Sequence, residues 1–315
     1  MIGYAIKAPS GHNTQPWLFR IREEESMIQI IPDMTRELPV VDKEHRELFI
    51  SLGCATENLC IAARDMGYEP TVIINEQNNI NVSLKELTVV IPEPLCPQIE
   101  KRQTNRSIYD SRTISAETMR ELEAVPMEKH VHSYSFMNHT DVFKVFLGYV
   151  VHGDLLQMGY MEFVDELKKW MRYNKKHSEA MNDGLSYAVF GAPNLPKFIS
   201  RYIMGLFLNI RTQARDNIQK LNSSSHLFLL TTDNNTIIEW INLGRSLQRL
   251  LLTMTEKGIA NAYANQPCEE ESLATDLRKE MGLDGEYPTI IMRIGYAKPM
   301  PYSRRKKIEE VCVLI

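Results

Sequence analysis

The spacing of apolar residues alternates along this chain between the two-residue period of strands and the wider period of helices. In the first third, the charged run E-E-E-S separates two apolar segments and predicts a hairpin. Residues 44–66 have helical spacing and stop at Gly67 with Pro70 close behind, as at a helix C-terminus. The strands predicted in this part are residues 15–21, 27–31, 71–74 and 87–91.

A proline-rich connection closes the first part near residue 97. The remaining two thirds of the chain have patterns that favour helices. Helices are predicted at residues 115–124, 140–174, 197–221, 236–257 and 269–281, and buried strands at 226–232 and 288–296. A glycine- and proline-punctuated stretch within this part predicts a helical lid insert near residues 175–200. The fold class expected is α+β, with a truncated lobe at 1–97 and a main lobe at 98–315.

A repeat relates the two parts. F-I-S-L-G ends at Gly53 and W-I-N-L-G ends at Gly244, and each is followed fourteen positions later by another glycine. At a constant offset of 191 the identities are Ile50 with Ile241, Leu52 with Leu243, Gly53 with Gly244, Leu59 with Leu250 and Gly67 with Gly258. Glycine inside a helix costs about 1 kcal/mol relative to alanine, so its presence in both copies indicates close backbone packing. Amphipathic helices share Leu and Ile by chance, but the register favours duplication.

Composition excludes several classes of protein. A formal net charge of −4 gives no electrostatic support for nucleic-acid binding, and the apolar run at 202–208 is too short for a membrane span. Five cysteines without C-x-x-C spacing, and no signal-peptide pattern, predict free thiols in the cytoplasm. His130 and His132 have no third ligand close in sequence, so no metal is expected. Hydrolase, phosphate-loop and dinucleotide-binding motifs are absent.

The segment A-P-S-G-H-N-T-Q-P-W at residues 8–17 carries the most concentrated chemistry. Its two prolines disfavour helix at the residue before each, so a rigid loop is expected after a helix that ends near Lys7. Ser10, Asn13 and Gln15 offer hydroxyl and amide groups that suit a flat polar heterocycle or a polyol. The same residue types also make ordinary turns, so composition alone leaves both interpretations open.

The string P-S-x-x-N-x-Q-P-W resembles the flavin-binding loop of the nitroreductase family, and the fuller form resembles its Acg-like two-lobed branch. In that family the loop holds the isoalloxazine and ribityl groups of FMN. The residues this resemblance implies are Pro9, Ser10, Gly11, Asn13 and Gln15. Ordinary members are homodimers with FMN at the subunit interface. A chain with two related lobes is therefore expected to form the site as a monomer, with further dimerisation left open.

Later segments match the family by order along the chain. The motif R-Q-T-N-R resembles the R-x-S-x-R that contacts FMN, and the guanidinium fork suits a phosphate. The residues implied are Arg102, Thr104 and Arg106. In the tail, Arg304 or its neighbour Arg305 matches an arginine that reaches the phosphate, although Tyr302 stands where a lysine is expected. Basic residues beside a linker or in a tail are also commonly solvated.

Residues 259–267 follow the second repeat copy and match by position a strand and loop that lie beside flavin N5 in the family. The candidates there are Tyr263, Asn265 and Gln266, although the usual glycine-containing motif is missing. An ordinary edge strand would account for the same residues.

These inferences predict a nitroreductase-like fold in which two related lobes form a single-chain pseudo-dimer, with mixed sheets flanked by helices. The resemblance implies hydride transfer from NAD(P)H through FMN to a nitroaromatic, quinone or similar small acceptor. No catalytic side chain is expected, because the flavin carries the chemistry. The alternative is a flavin-binding or flavin-sequestering protein whose lidded site turns over little. A helical protein without a cofactor is a third interpretation.

Overall fold

The computed structural model describes residues 1–207 and 210–313. Positions 208–209 of the predicted helix 197–221, and position 208 of the apolar run, lie outside that part. The strands are β1 Trp17–Arg22, β2 Met27–Pro32, β3 Tyr68–Ile74, β4 Ile80–Glu86, β5 Val131–Met137, β6 Met171–Arg172, β7 Leu185–Ser186, β8 His226–Thr232, β9 Ala260–Tyr263 and β10 Tyr287–Gly295. The helices are α1 Ile2–Ala5, α2 Arg46–Asp65, α3 Gln98–Lys101, α4 Ala116–Glu123, α5 Asp141–Gly159, α6 Met161–Trp170, α7 Lys175–Met181, α8 Lys197–Phe207, α9 Ile210–Asn222, α10 Ile237–Glu256, α11 Gln266–Glu269 and α12 Glu271–Glu280.

Two four-stranded sheets have the same connectivity. One has the order β1-β2-β4-β3 and the other β5-β8-β10-β9, and neighbouring strands are antiparallel in both. A 20-residue helix has the equivalent place in each part of the chain: α2 connects β2 to β3, and α10 connects β8 to β9. Helices with antiparallel sheets confirm the α+β class. The matching order supports duplication, which was inferred from the offset of 191 residues.

Parallel pairing is added at the edges of both four-stranded sheets. Phe19 of β1 pairs in parallel with Cys312 of the C-terminal tail, and Thr104 pairs in parallel with Asn261 of β9. Thus the tail, which follows the last strand of the second sheet, returns to the first sheet. This crossing brings the basic tail close to the loop that precedes β1.

The two repeat helices cross at their glycines. A Cβ added to Gly53 would lie 2.1 Å from the carbonyl oxygen of Ile241, and one added to Gly244 would lie 2.1 Å from that of Ile50. The reciprocal distances show that the two helices approach backbone to backbone at equivalent points. Glycine is required there because no side chain fits. The close packing predicted from the repeat is confirmed.

Two predictions about single elements are wrong. Residues 87–91 are not a strand: Val89 is 70% exposed and Ile91 75%, and the fourth strand is β4 instead. Strand β4 has the alternation I-N-V-S-L-K, which buries one face, whereas a continuous apolar run has no such preference. The predicted helix 140–174 is interrupted at Tyr160, whose extended backbone separates α5 from α6.

Other elements agree with the patterns. The β1–β2 hairpin, α2, α4, α10 and the strands β8 and β10 lie within about two residues of the predicted bounds. Strand β8 is buried at every position, as predicted for residues 226–232. No helix in the two described ranges is both long and apolar enough to cross a bilayer.

Candidate functional site

The loop between α1 and β1 has a strained backbone. His12, Asn13 and Gln15 have φ values of 48°, 56° and 56°, in the left-handed region that is unfavourable for residues with a side chain. Ser10 stabilises the turn, because its hydroxyl accepts a hydrogen bond from the backbone N–H of Gln15 at 3.0 Å. Its backbone carbonyl accepts another from the backbone N–H of Asn13 at 2.9 Å. Such conformations persist where the surroundings fix them, and they concentrate at functional sites.

Asn13 connects this loop to two distant segments. Its Nδ2 donates to the carbonyls of Gly184 at 3.0 Å and Arg304 at 3.1 Å. Its Oδ1 accepts a hydrogen bond from the guanidinium of Arg305 at 2.8 Å. The amide is therefore engaged within the protein, where it holds the tail in place.

The side chain of Gln15 also connects the loop to two distant segments. Its Nε2 donates to the Asn182 carbonyl at 2.9 Å, and its Oε1 accepts a hydrogen bond from the Lys306 amide at 2.9 Å. The side chain is fully buried. Gln15 thus fixes the loop, the tail and the segment after α7 relative to one another.

These segments enclose a cavity of about 720 Å³. Its walls are the loop, one face of α2, the segment after α3, the end of β9 and the tail. The predicted site residues that line it are Pro9, Ser10, Gly11, Asn13, Arg102, Thr104, Arg106, Tyr263, Asn265, Arg304 and Arg305. Gln15 and Gln266 do not line the cavity. The Nε2 of Gln266 donates to Asp154 at 2.9 Å, on the α5 side.

The segment after α3 is extended and lies beside β9. Thr104 pairs with Asn261, and the Asn105 amide donates to the Asn261 carbonyl at 2.8 Å. Alternate side chains of an extended segment share one face. Arg102, Thr104 and Arg106 all line the cavity, as this alternation allows, and Gln103 between them lines it as well.

Arg102, Arg106 and Arg305 form the basic end of the cavity. None of the ion pairs within residues 1–207 and 210–313 involves them. In addition, Nε and Nη1 of Arg102 and Nε of Arg305 are buried without a hydrogen-bond partner. Burial lowers the pKa of all three, and repulsion by Arg102 helps bring the pKa of Arg305 to about 9. Buried charges are normally paired, so this end fits an anion such as a phosphate.

The two tail arginines differ in their surroundings. The guanidinium of Arg304 pairs with Glu179 at 2.7 Å and is 43% exposed. Arg305 lies close to Arg102 instead, as their mutual repulsion indicates. Of the two alternatives left by the sequence, Arg305 is the one positioned for an anion at the basic end. Tyr302, in place of the expected lysine, also lines the cavity.

The middle of the cavity carries no charge at neutral pH. Burial, with a contribution from Arg106, lowers the pKa of His12 to about 4. Burial also raises the pKa of Tyr263 above its usual range and that of Cys54 to about 12. Neutral polar and apolar groups here suit an uncharged ring system better than a second anion.

A carboxyl pair forms the other end. Glu47 of α2 and Glu269 of α11 both line the cavity, and Asn265 donates to Glu47 Oε1 at 3.0 Å. Burial and the neighbouring Glu269 raise the pKa of Glu47 to about 8. Sequence reasoning missed this pair, because an acidic residue in the first turn of a helix is usually solvated. The two residues are distant in the chain, and no motif connects them.

Part of the predicted lid covers the cavity. Asn182 and Leu185 line it, and the Gly184 amide donates to the Asn13 carbonyl at 3.1 Å. Asp183 anchors this segment through buried ion pairs with Arg172 at 2.6 Å and Arg36 at 2.5 Å. The glycine- and proline-rich residues 191–196 are mostly exposed and do not line the cavity.

The two histidines noted in the sequence both contact a carboxylate. His130 Nδ1 and His132 Nε2 lie 2.7 Å and 2.6 Å from the two carboxylate oxygens of Asp233. All three side chains are at least 36% exposed. The pair is a surface feature that does not line the cavity.

The chain is similar in sequence to mycobacterial proteins over nearly its full length, while no family model matches it. It is 23% identical to "Putative NAD(P)H nitroreductase Rv3131" of Mycobacterium tuberculosis, over 98% of this chain and 88% of that protein. It is 22% identical to "Uncharacterized protein Rv3127" of the same organism, over 94% and 86%. The resemblance to nitroreductases stated from the loop is thus supported by a relative matched along the whole chain.

Solved structures with some similarity cover about 70% of the chain. The FMN-dependent nitroreductase NfnB from Mycobacterium smegmatis, in complex with NADPH, is 17% identical and has a TM-score of 0.45, over 69% of this chain and 96% of that one. A nitroreductase with bound FMN from Desulfitobacterium hafniense is 12% identical and has a TM-score of 0.43, over 70% and 98%.

Proposed function

We propose that this chain is an FMN-dependent NAD(P)H oxidoreductase that binds one FMN between its two lobes and reduces a nitroaromatic, quinone or similar small acceptor. The named relative supports the class of reaction. The observation that carries the proposal is the basic end of the cavity, where buried guanidinium nitrogens lack partners. A phosphate monoester would supply those partners, and the neutral middle would accommodate a flat heterocycle.

The residues present fit FMN in a definite order. Arg102, Arg305 and the hydroxyl of Thr104 would hold the phosphate. Pro9, Ser10 and Gly11 of the strained loop would contact the ribityl chain and the ring, with Tyr263 and Asn265 on the β9 side. FMN, when bound, supplies the two-electron hydride chemistry that no side chain of the chain provides.

The chain itself contributes orientation and exclusion of water. The loop is fixed by hydrogen bonds to the tail and to the segment after α7, so the cavity wall is already ordered. Lobe one supplies this loop and the α2 face, and lobe two supplies the arginines. We therefore propose that one chain forms a complete site without a partner subunit.

The experiment is an anaerobic titration of the purified, FMN-loaded chain with NADH and with NADPH, followed by visible absorption. Bleaching of the flavin by either nucleotide, with recovery on addition of a quinone, is the expected result. A chain that binds no FMN would contradict the proposal, and so would a bound flavin that neither nucleotide reduces.

A second function has support from one feature. The cover formed by residues 182–185 is anchored by the buried carboxylate of Asp183 between two arginines. A cover held this firmly would suit a protein that sequesters flavin with little turnover. Replacing Asp183 by Asn weakens both ion pairs. If NAD(P)H fails to reduce the flavin bound to the wild-type chain but reduces the flavin bound to the Asp183→Asn variant, sequestration is the function of the native chain.

A further inference from the structure

A carboxyl pair, Glu47 and Glu269, lines the same cavity as the arginines of the basic end. No ion pair within the described residues involves Glu47 or Glu269. Each has an amide donor instead: Asn265 donates to Glu47, and Gln157 Nε2 donates to Glu269 Oε2 at 2.6 Å. Two adjoining carboxyl groups in such surroundings cannot both be charged at low cost, so one of them retains a proton.

The charged and titratable groups around Glu47 do not compensate its charge. Asp42, which precedes α2, accepts the backbone N–H groups at the start of that helix and adds a second negative charge. Arg46 lowers the pKa of Glu47, but burial and the neighbouring Glu269 raise it by more. The Arg46 guanidinium donates to the Cys268 carbonyl at 2.5 Å. Tyr263 and Cys268 face the same region as neutral groups.

Glu47 lies where the two walls of the cavity meet. One oxygen accepts from Asn265 at the end of β9. The other would lie 2.9 Å from a Cβ at position 11, so Gly11 lets the carboxyl approach the strained loop. These are the elements proposed to hold the flavin ring. The proton of the pair therefore lies beside the elements proposed to hold the ring.

We infer that Glu47 is the proton donor to the acceptor. This inference rests on the proposed function. The reaction NAD(P)H + H⁺ + acceptor → NAD(P)⁺ + reduced acceptor requires one proton besides the transferred hydride. For a quinone, an O–H bond forms on the acceptor oxygen as the O–H bond of Glu47 breaks, and the hydride supplies both electrons. The Glu47 carboxylate then takes up a proton before the next turnover.

The structure also gives that proton a route. Glu269 lines the cavity and a second one of about 760 Å³, whose wall includes Asp42, Arg46 and Glu270. Since Glu269 lies between the two cavities, it can pass a proton from the second cavity to Glu47. Glu269 acts in this scheme as the relay, and Glu47 as the donor.

The test compares two acceptors with the FMN-loaded chain. A quinone needs protons, whereas ferricyanide takes one electron and no proton. In Glu47→Gln we expect quinone reduction to fall about 100-fold, as for loss of a general acid, and ferricyanide reduction to be nearly unchanged. The matched control is Glu100→Gln, which changes a carboxyl of α3 that lines the same cavity. It should keep the wild-type ratio of the two rates. Equal slowing of both acceptors, or no slowing, in Glu47→Gln would overturn the inference.

A measurement without cofactor or turnover accompanies it. Infrared spectra of the FMN-free wild type should show a protonated-carboxyl C=O band that is lost as the pH rises through about 8. Asp42 and Asp154 have a pKa of about 6, so their bands are lost at lower pH. The band should be absent above pH 7 in Glu47→Gln. A wild-type chain with no carboxyl titrating near pH 8 overturns the inference whatever the variant does. Wild-type flavin that NAD(P)H fails to bleach contradicts the proposed function instead.

Discussion

The two lobes share a strand order but differ at equivalent positions of their long helices. On α2, the residue after the crossing glycine is Cys54, which lines the cavity. Its counterpart 191 positions later on α10 is Arg245, which pairs with Glu57 at 3.0 Å and with Glu128 at 3.2 Å. Thus a small thiol that lines the cavity on one side of the crossing corresponds to a partly buried ion-pair network on the other side.

This difference indicates how a duplicated scaffold can hold one site. The glycine crossing is reciprocal, so the architecture itself is symmetric at that point. The chemistry is not symmetric, because Arg249 adds a second contact to Glu57 at 3.1 Å and completes the network on the α10 side. We interpret the pair of lobes as a pseudo-dimer whose two long helices both reach the cavity, through Cys54 of α2 and Leu247 of α10, but differ at the residue after the crossing glycine.

The largest effect is expected at the crossing. In Gly53→Ala and in Gly244→Ala the new methyl group meets a backbone carbonyl that cannot rotate away. Each change should destabilise the chain by at least about 3 kcal/mol, at the upper end of overpacking costs. Denaturant unfolding measures this. The matched control is Gly148→Ala, a helical glycine with open space around it, which should stabilise by about 0.5–1 kcal/mol.

Symmetry of the crossing predicts a further result. The two single variants should lose similar free energies of unfolding, and the double variant should lose less than their sum, because one separation of the helices relieves both clashes. Strongly unequal losses would contradict a reciprocal crossing.

The next effect concerns the basic end. Arg102→Ala and Arg305→Ala should weaken FMN about 10- to 100-fold, since a hydrogen bond to a charged group contributes about 1.5–3 kcal/mol. Riboflavin, which lacks the phosphate, should lose much less affinity. Fluorescence titration of both ligands gives the ratio. Arg304→Ala is the matched control, because its guanidinium already pairs with Glu179. Equal losses for FMN and riboflavin would show that the arginines support folding rather than the phosphate.

The loop amide should have a smaller effect. Asn13→Ala removes one acceptor of Arg305, whose guanidinium also donates to the carbonyls of Lys7 and Ala8, and two hydrogen bonds donated to the chain. We expect FMN affinity to fall about tenfold, and riboflavin affinity to fall with it, because the whole loop loosens. Isothermal titration with both ligands measures this. An unchanged affinity in Asn13→Ala would remove the loop from the proposed site.

The smallest effect tests the comparison of the two helices directly. Cys54→Leu enlarges a side chain that lines the cavity and removes the hydrogen bond from its thiol to the Gly244 carbonyl, and it should weaken FMN by about threefold to tenfold. Arg245→Lys changes the equivalent position on the other side and should alter FMN affinity by less than about twofold, as for independent sites. A large loss of affinity in Arg245→Lys would mean that the ion-pair network at position 245 also contributes to ligand binding.

The sequence predicted the elements with a clear period better than those without one. Strands β8 and β10 and helices α2 and α10 follow from apolar spacing and terminal glycines, and the duplicated glycine predicted the crossing. Residues 87–91 were misassigned because an apolar run carries no information about which face is buried. The loop and the R-x-T-x-R segment, which line the cavity, could be proposed from the sequence because each lies in a short contiguous stretch. Glu47 and Glu269 could not be found, since their meeting depends on packing between α2 and α11.

One measurement tests the central proposal, a single FMN site formed by both lobes of one chain. Native mass spectrometry of the FMN-saturated protein gives the number of flavins and of chains in the same particle. The expected result is one FMN on a single chain, or two FMN on two chains with affinity unchanged by dilution to the monomer. Two FMN on one chain, or FMN retained only by a dimer, would contradict the proposal.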